Sequence, residues 1–209
     1  EIYTLSLHDA LPILVIRLYC ENKKSPERRS AQTVLTEVLR VLVRVISPVL
    51  SFTAEEIWER IPESIKEEES VHLSSWIEEN PEYKNEGLAK KWEKIYHLRK
   101  EVNKKLEAER QNGMIGHSLD AKVLLNISND EYAFLKEYTE AEVSDMFIVS
   151  QVKFVNEGLQ ETEIEAITIA VEKASGEKCE RCWKYDEEVG HDHEHNEDRK
   201  STRLNSSHW

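Results

Sequence analysis

Cysteine is scarce in this chain, with three in 209 residues. That excludes a disulfide framework and fits a reducing, cytoplasmic location. Long apolar runs are missing too. The longest, Leu35 to Leu50, is broken by Glu37, Arg40, Arg44 and Pro48. It is too polar and too short to span a bilayer, so no membrane partner is expected. There is no excess of positive charge: the net charge is −13. Nucleic acid would therefore have to be met by local basic patches and not by the bulk field. The start carries Glu1 and Asp9 and no basic n-region, so it does not read as a signal peptide. No internal repeat is present. No Ser/His/Asp or Cys/His arrangement for covalent catalysis stands out, and no catalytic residue is expected.

The chain does have strong helical periodicity. Charged residues make up 33% and hydrophobic residues 39%, a balance suited to a soluble, helix-rich protein with a modest core. Val34, Leu35, Val38, Leu39, Leu42, Val45, Ile46 and Val49 follow the three-and-four spacing of one buried face, which predicts a helix over 26–47 ended by Pro48. Thr53-Ala54-Glu55-Glu56 reads as a capping box opening a short helix that runs to about Ile61. The acidic stretch 63–69 reads as a solvated loop. Val71, Leu73 and Trp76 read as an extended segment packed across the helices. A second long helix is expected over 85–111, with Leu88, Trp92, Ile95, Leu98, Val102 and Leu106 inward. Leu35, Leu39, Trp58, Trp92 and Leu98 are expected in the core, and Cys20 as a small buried residue. Beyond Asn112-Gly113 the period changes. Residues 121–127, 147–155 and 167–172 read as strands, with a helix over 130–138. The fold class expected is mainly α, a helical bundle followed by a small α+β subdomain.

Chemistry concentrates near the end. In Cys179-Glu180-Arg181-Cys182-Trp183 two thiolates stand at the spacing of a zinc knuckle. They supply half of a tetrahedral site. His191, His193 and His195 are possible substitute ligands, since imidazole suits zinc; the plainer reading of that cluster is a polar loop. For the cysteines the plainer reading is two thiols in an acidic loop. Two basic features could meet phosphates: Arg28 and Arg29 with Lys23–Lys24, and a helix face holding Lys90, Lys91, Lys94, Arg99, Lys100, Lys104, Lys105 and Arg110. Glu93, Glu101 and Glu107 interleave with that face, and an ordinary solvated surface explains it equally well.

Several segments in order resemble the anticodon-binding domain of bacterial isoleucyl-tRNA synthetases. They include Arg17-Leu18-Tyr19-Cys20-Glu21, Arg29-Ser30-Ala31-Gln32-Thr33-Val34-Leu35 and Ser51-Phe52-Thr53-Ala54-Glu55-Glu56-Ile57-Trp58. Leu98-Arg99-Lys100-Glu101-Val102-Asn103-Lys104 and Ile115-Gly116-His117-Ser118-Leu119-Asp120-Ala121 continue the likeness, and Gly176-Glu177-Lys178-Cys179-Glu180-Arg181-Cys182-Trp183 completes it. It covers roughly residues 16 to 190. The helical segments are shared with the valyl and leucyl families; the knuckle after the small sheet favours the isoleucyl one. The family's HIGH-type motif and KMSKS-type loop, which serve ATP-dependent adenylation in a Rossmann-type module, do not occur in this sequence, nor does its editing domain. A second Cys-x-x-Cys of the family pattern is also not found.

The resemblance implies a division into 14–112 (helical anticodon-binding domain), 113–175 (small α+β subdomain) and 176–197 (partial zinc-binding module). Residues 1–13 and 198–209 match nothing in the family and resemble translated sequencing-adapter read-through, so both are expected to be non-native. The implied partner is the anticodon stem-loop of tRNA(Ile), within a monomeric parent ligase. The implied cofactors are one structural Zn²⁺ on Cys179 and Cys182 and, in the catalytic module, ATP. Arg181 and Trp183 are the implied base-stacking contacts, because splayed RNA bases stack on aromatics and guanidinium planes; packing of Trp183 over the metal is the alternative. Arg28, Arg29, Lys94 and Arg99 are the implied contacts elsewhere on the RNA. A freestanding helical module that binds protein is the alternative of a different class.

Overall fold

The structure is a computed structural model that describes residues 18–19, 24–156, 160–180 and 182–189. Cys20, Arg181, His191, His193, His195 and the segments 1–13 and 198–209 lie outside the described residues. The chain divides into two compact units, one over 24–85 and the other holding 86–209 together with 1–23.

The first unit is helical. Helix α1 spans Pro26–Ile46 and α2 spans Ser51–Arg60. Ser25 caps α1 by accepting the Arg28 N–H at 3.1 Å, and Pro26 stands in the first turn, where its missing N–H costs nothing. The core is small: Val43, Ala54, Trp58, Ile61 and Val71, with Ile46, Ile57 and Ile65 beside them. Arg44 lies within it, over the Trp58 ring at 5.0 Å. Its guanidinium donates to the Ser75 and Arg40 carbonyls and to Glu67, so the buried charge is fully engaged.

Three expectations for this unit are corrected. Thr53 does not cap α2: the helix opens at Ser51, Ala54 N–H donates to the Leu50 carbonyl, and Thr53 already lies inside the first turn. The segment after the acidic loop is a single 3-10 turn, Val71–Leu73, in which only Val71 is buried while Leu73 and Trp76 are exposed. Leu39 is 38% exposed and Leu35 only half-buried. Among the described residues of this unit, α1 is packed by α2 and that one turn, too little surface to cover its whole apolar stripe. Val34, Val38, Val41, Leu42, Val45 and Phe52 remain exposed.

The second unit is α+β. Helix α3 spans Glu86–Gln111 and is followed by β1 (Ala121–Ile127), α4 (Glu140–Phe147), β2 (Gln151–Phe154), β3 (Gln160–Glu161) and β4 (Ile167–Lys173). The sheet order is β2-β1-β4-β3, with β1 parallel to β2 and antiparallel to β4. Along β1 every second residue is buried, the period-two pattern of a strand with one covered face. Ile95, Leu98, Val102 and Leu106 of α3 join Val123, Leu125, Ile127, Ile167 and Ile169 in one core. Trp92 packs at its edge. The long helix thus shares its core with the sheet, and the compact units divide at 85/86 where the sequence reading has a boundary at 112.

Two further readings change here. Residues 130–137 wind as 3-10 turns, and the helix lies just after them in α4, opened by a capping box between Thr139 and Glu142. Phe147 therefore ends a helix, and the strand begins only at Gln151. Two short strands complete the unit, β5 (Glu177–Lys178) and β6 (Tyr185–Asp186), paired antiparallel. No helix among the described residues is long and apolar enough to cross a membrane.

Candidate functional site

The β5–β6 hairpin carries the Cys-x-x-Cys segment as its loop. Gly176 starts it at φ +90°, a backbone region that a side chain disfavours. A Cβ there would stand 2.4 Å from the Asp186 carbonyl, so the close approach itself requires glycine. Within the loop Cys179 N–H donates to the Lys184 carbonyl at 2.9 Å, and Trp183 N–H donates to the Cys179 carbonyl at 2.8 Å. This tight turn brings Cys179 (0% exposed) and Cys182 (8%) together with Val189 in a small buried cluster.

The pair has the chemistry and convergence of half a zinc site. Among the described residues no group of three or more Cys, His, Asp or Glu could hold a metal. The two sulfurs suit two corners of a tetrahedral zinc site, and no further donors complete one among the described residues.

Trp183 sits on the outer side of the same loop. Its backbone adopts a left-handed conformation, φ +63°, and its side chain is 59% exposed. The Lys178 ammonium lies 5.6 Å from the ring centroid, which adds a cation beside a flat aromatic face. The next residue points the other way. Lys184 is 3% exposed, and its ammonium is paired with Asp145 and lies 3.3 Å from Ser144 Oγ, both on α4. Tyr185 N–H donates to Ser150 Oγ at 2.8 Å, and the Ser150 hydroxyl donates to the Leu119 carbonyl. Gln151 exchanges two hydrogen bonds with the Ser175 backbone. The hairpin is thus fastened to α4 and the start of β2. A cleft of 630 Å³ opens along this seam, lined by Glu140, Asp145, Asp186, Glu187 and Glu188 among others.

The basic face of α3 is largely engaged inside the fold. Lys94 pairs with Glu131 at 3.1 Å and lies 6.0 Å from the Tyr132 ring. Lys91 reaches Glu137 and the Phe134 ring, and Arg110 pairs with Glu107. Lys104 bridges Glu101 and Glu163, each at 2.7 Å. Burial pushes the Glu101 carboxyl up, but hydrogen bonds from Lys104 and the Glu163 N–H, with the charges of Lys104 and His97, outweigh it. The net result lies below the ordinary carboxylate range. The same two carboxylates hold the Lys104 ammonium above its usual range. Arg99 is half-buried on this helix. Arg28 and Arg29 belong to the other compact unit, at the first turn of α1, with Arg28 half-buried and Arg29 exposed.

The structure thus brings Cys179, Cys182 and Trp183 together, with Arg181 outside the described residues. Lys178 and Lys184 escape a sequence reading. Alternation along the hairpin hints at Lys178, whereas Lys184 becomes special only through Asp145, 39 residues away.

A family model described as the anticodon-binding domain of tRNA ligase matches residues 9–125. A second, described as a zinc finger found in FPG and IleRS, matches residues 176–197. Among curated proteins, the isoleucine–tRNA ligase of Geobacter sulfurreducens is 47% identical over 181 residues, covering 85% of this chain and 19% of that protein. The isoleucine–tRNA ligase of Kosmotoga olearia is 44% identical over 185 residues, 88% of this chain and 20% of that protein. That of Petrotoga mobilis is 46% identical over 185 residues, with 87% and 20% covered. The chain spans about a fifth of the length of these relatives.

Proposed function

Because this chain belongs to the family of tRNA-ligase anticodon-binding domains, we propose that it is the anticodon-recognition portion of an isoleucine–tRNA ligase, an enzyme that joins isoleucine to tRNA(Ile) with ATP. Its partner in this reading is the anticodon stem-loop of tRNA(Ile), and its place is the cytoplasm. Adenylation and editing belong to other parts of the ligase. This chain holds the far end of the tRNA, so that binding energy made here positions the acceptor end elsewhere.

The observation that carries the reading is the hairpin loop that buries both thiols of a zinc-finger match and exposes the adjacent indole. Cys179 and Cys182 would hold a structural Zn²⁺, with His191, His193 and His195 as the candidate further donors. That ion would supply much of the folding free energy of so small a loop. Trp183, with Lys178 at its face and Arg181 in the same loop, would stack an unpaired anticodon base. The cleft between the hairpin and α4 has a mostly acidic lining that repels phosphate, which favours the exposed Trp183 as the RNA contact. Arg29 is the favoured phosphate contact of the helical unit, with Arg28 beside it. Lys94 and Arg99 are the weaker candidates, since Glu131 already engages Lys94.

Two measurements test the proposal. Filter binding of tRNA(Ile) across a salt series should give an affinity that falls as salt rises, with a modest slope set by the few phosphate contacts; no binding at any salt would reject it and favour a protein-binding module. A zinc titration should show one ion per chain, lost in Cys179→Ser and weakened when His191, His193 and His195 are replaced together by Ala. Unchanged binding in the triple variant would reject the histidines as ligands.

A further inference from the structure

We propose that Lys184 is the positioning residue that fixes Trp183 for RNA, by pinning the metal loop to helix α4. The inference deepens the proposed function and rests on its reading of Trp183 as a stacking residue. It starts from a problem of size. Strands β5 and β6 have two residues each, too few to hold an exposed indole in one direction. The orientation has to come from outside the hairpin.

Lys184 supplies that link with both halves of the residue. Its carbonyl accepts the Cys179 N–H and so closes the loop around the two thiols. Its side chain, 3% exposed, leaves the loop and carries its ammonium to Asp145 and Ser144 in the last turns of α4. A lysine is almost never buried this deeply unless it is paired. The location also suits a cation, because the C-terminal end of a helix carries partial negative charge. The next residue repeats the attachment, with Tyr185 N–H on Ser150 Oγ. Trp183 therefore stands one residue before two successive anchors, in a left-handed backbone that sends its ring outward while Lys184 goes inward. Removing the ammonium leaves Asp145 without its cation and frees the Trp183 side of the loop to rotate.

The test uses the 209-residue chain labelled with 5-fluorotryptophan, the Trp183 signal being assigned by its loss in Trp183→Phe. Lys184→Met and Asp145→Asn should each shift the Trp183 fluorine resonance. The double variant should shift it no further, and Lys184→Arg should return it toward the parent position. Affinity for an isoleucine anticodon stem-loop RNA should fall in Lys184→Met by about the factor seen in Trp183→Ala, and recover in Lys184→Arg. A Trp183 resonance unmoved by Lys184→Met, or moved by it but not by Asp145→Asn, would overturn the pin. Parent-like RNA affinity in Lys184→Met alongside a loss in Trp183→Ala would overturn its part in recognition. If Trp183→Ala itself keeps full affinity, the stacking reading falls, and the fluorine shifts still decide the pin.

Discussion

Gly176 shows how a single position can decide whether the metal loop forms. Its positive φ and the 2.4 Å approach to Asp186 leave no room for a methyl group. Gly176→Ala should therefore disrupt the β5–β6 pairing, at a cost above the roughly 1–3 kcal/mol of left-handed strain alone. Amide exchange should quicken at Lys178 and Tyr185 while β1 and β4 keep their protection. Glu101 gives a pH dependence. Its folded-state carboxyl titrates below the ordinary 4.5, so the folded form binds fewer protons than the unfolded one. Its contribution is present above pH 4.5 and is lost as pH falls below it, through the folded value. Glu101→Gln should cost about 1.5–3 kcal/mol at neutral pH, the range for hydrogen bonds to charged groups, and should flatten the acid limb of a denaturation series. The cysteine pair stands out in the sequence because its Cys-x-x-Cys spacing marks it. Arg44 and Lys184 do not, since a buried cation depends on acceptors far along the chain: Glu67 and Ser75 for one, Asp145 for the other.

Among the elements, the long helices were readable almost to the residue, because α1 and α3 repeat their apolar period over many turns. The short ones were not. The apolar residues from Phe147 to Val155 look like one strand, yet Phe147 and Val143 face the core from α4, and only four residues pair with β1. Thr139 and Glu142 form the cap that marks this helix. The same signature at Thr53 and Glu56 marked a helix whose start lies two residues earlier. Periodicity marked an apolar stripe on α1 but not its buried face: none of the eight stripe residues is buried, and the helix buries Ala31, Val43 and Arg44 instead. How much of a stripe is covered depends on neighbouring elements, and α2 is short. In the other unit α3 buries Ile95, Leu98, Val102 and Leu106, while Leu88, expected inward, is 46% exposed; Leu125 on β1 is fully buried between helix and sheet residues. Leu125→Ala should lower stability by about 2–5 kcal/mol in a denaturant titration. A loss under 1 kcal/mol would mean that the core described here is looser than its burial implies.

Taken whole, a net charge of −13 argues against attraction of RNA by the bulk field, and among the described residues the cations of α3 do not form a free basic face. They are largely spent on Glu131, Glu137, Glu163 and Glu107. Recognition is then expected to rest on a few local contacts, chiefly stacking on Trp183, with a modest electrostatic component. Stacking on an aromatic side chain is worth about 1–3 kcal/mol per base, so Trp183→Ala should weaken binding by roughly 5- to 150-fold. Family membership came from motif order across both units and not from bulk charge, which argued the other way. The decisive comparison is the affinity of the zinc-supplemented 209-residue chain for two stem-loop RNAs that differ only in the anticodon, one carrying the isoleucine triplet and the other an altered one. The isoleucine loop is expected to bind about tenfold or more tightly, as one or two lost base contacts require, while Trp183→Ala weakens binding of both loops, since stacking tolerates any base. Equal affinity for the two loops would contradict anticodon recognition by this chain.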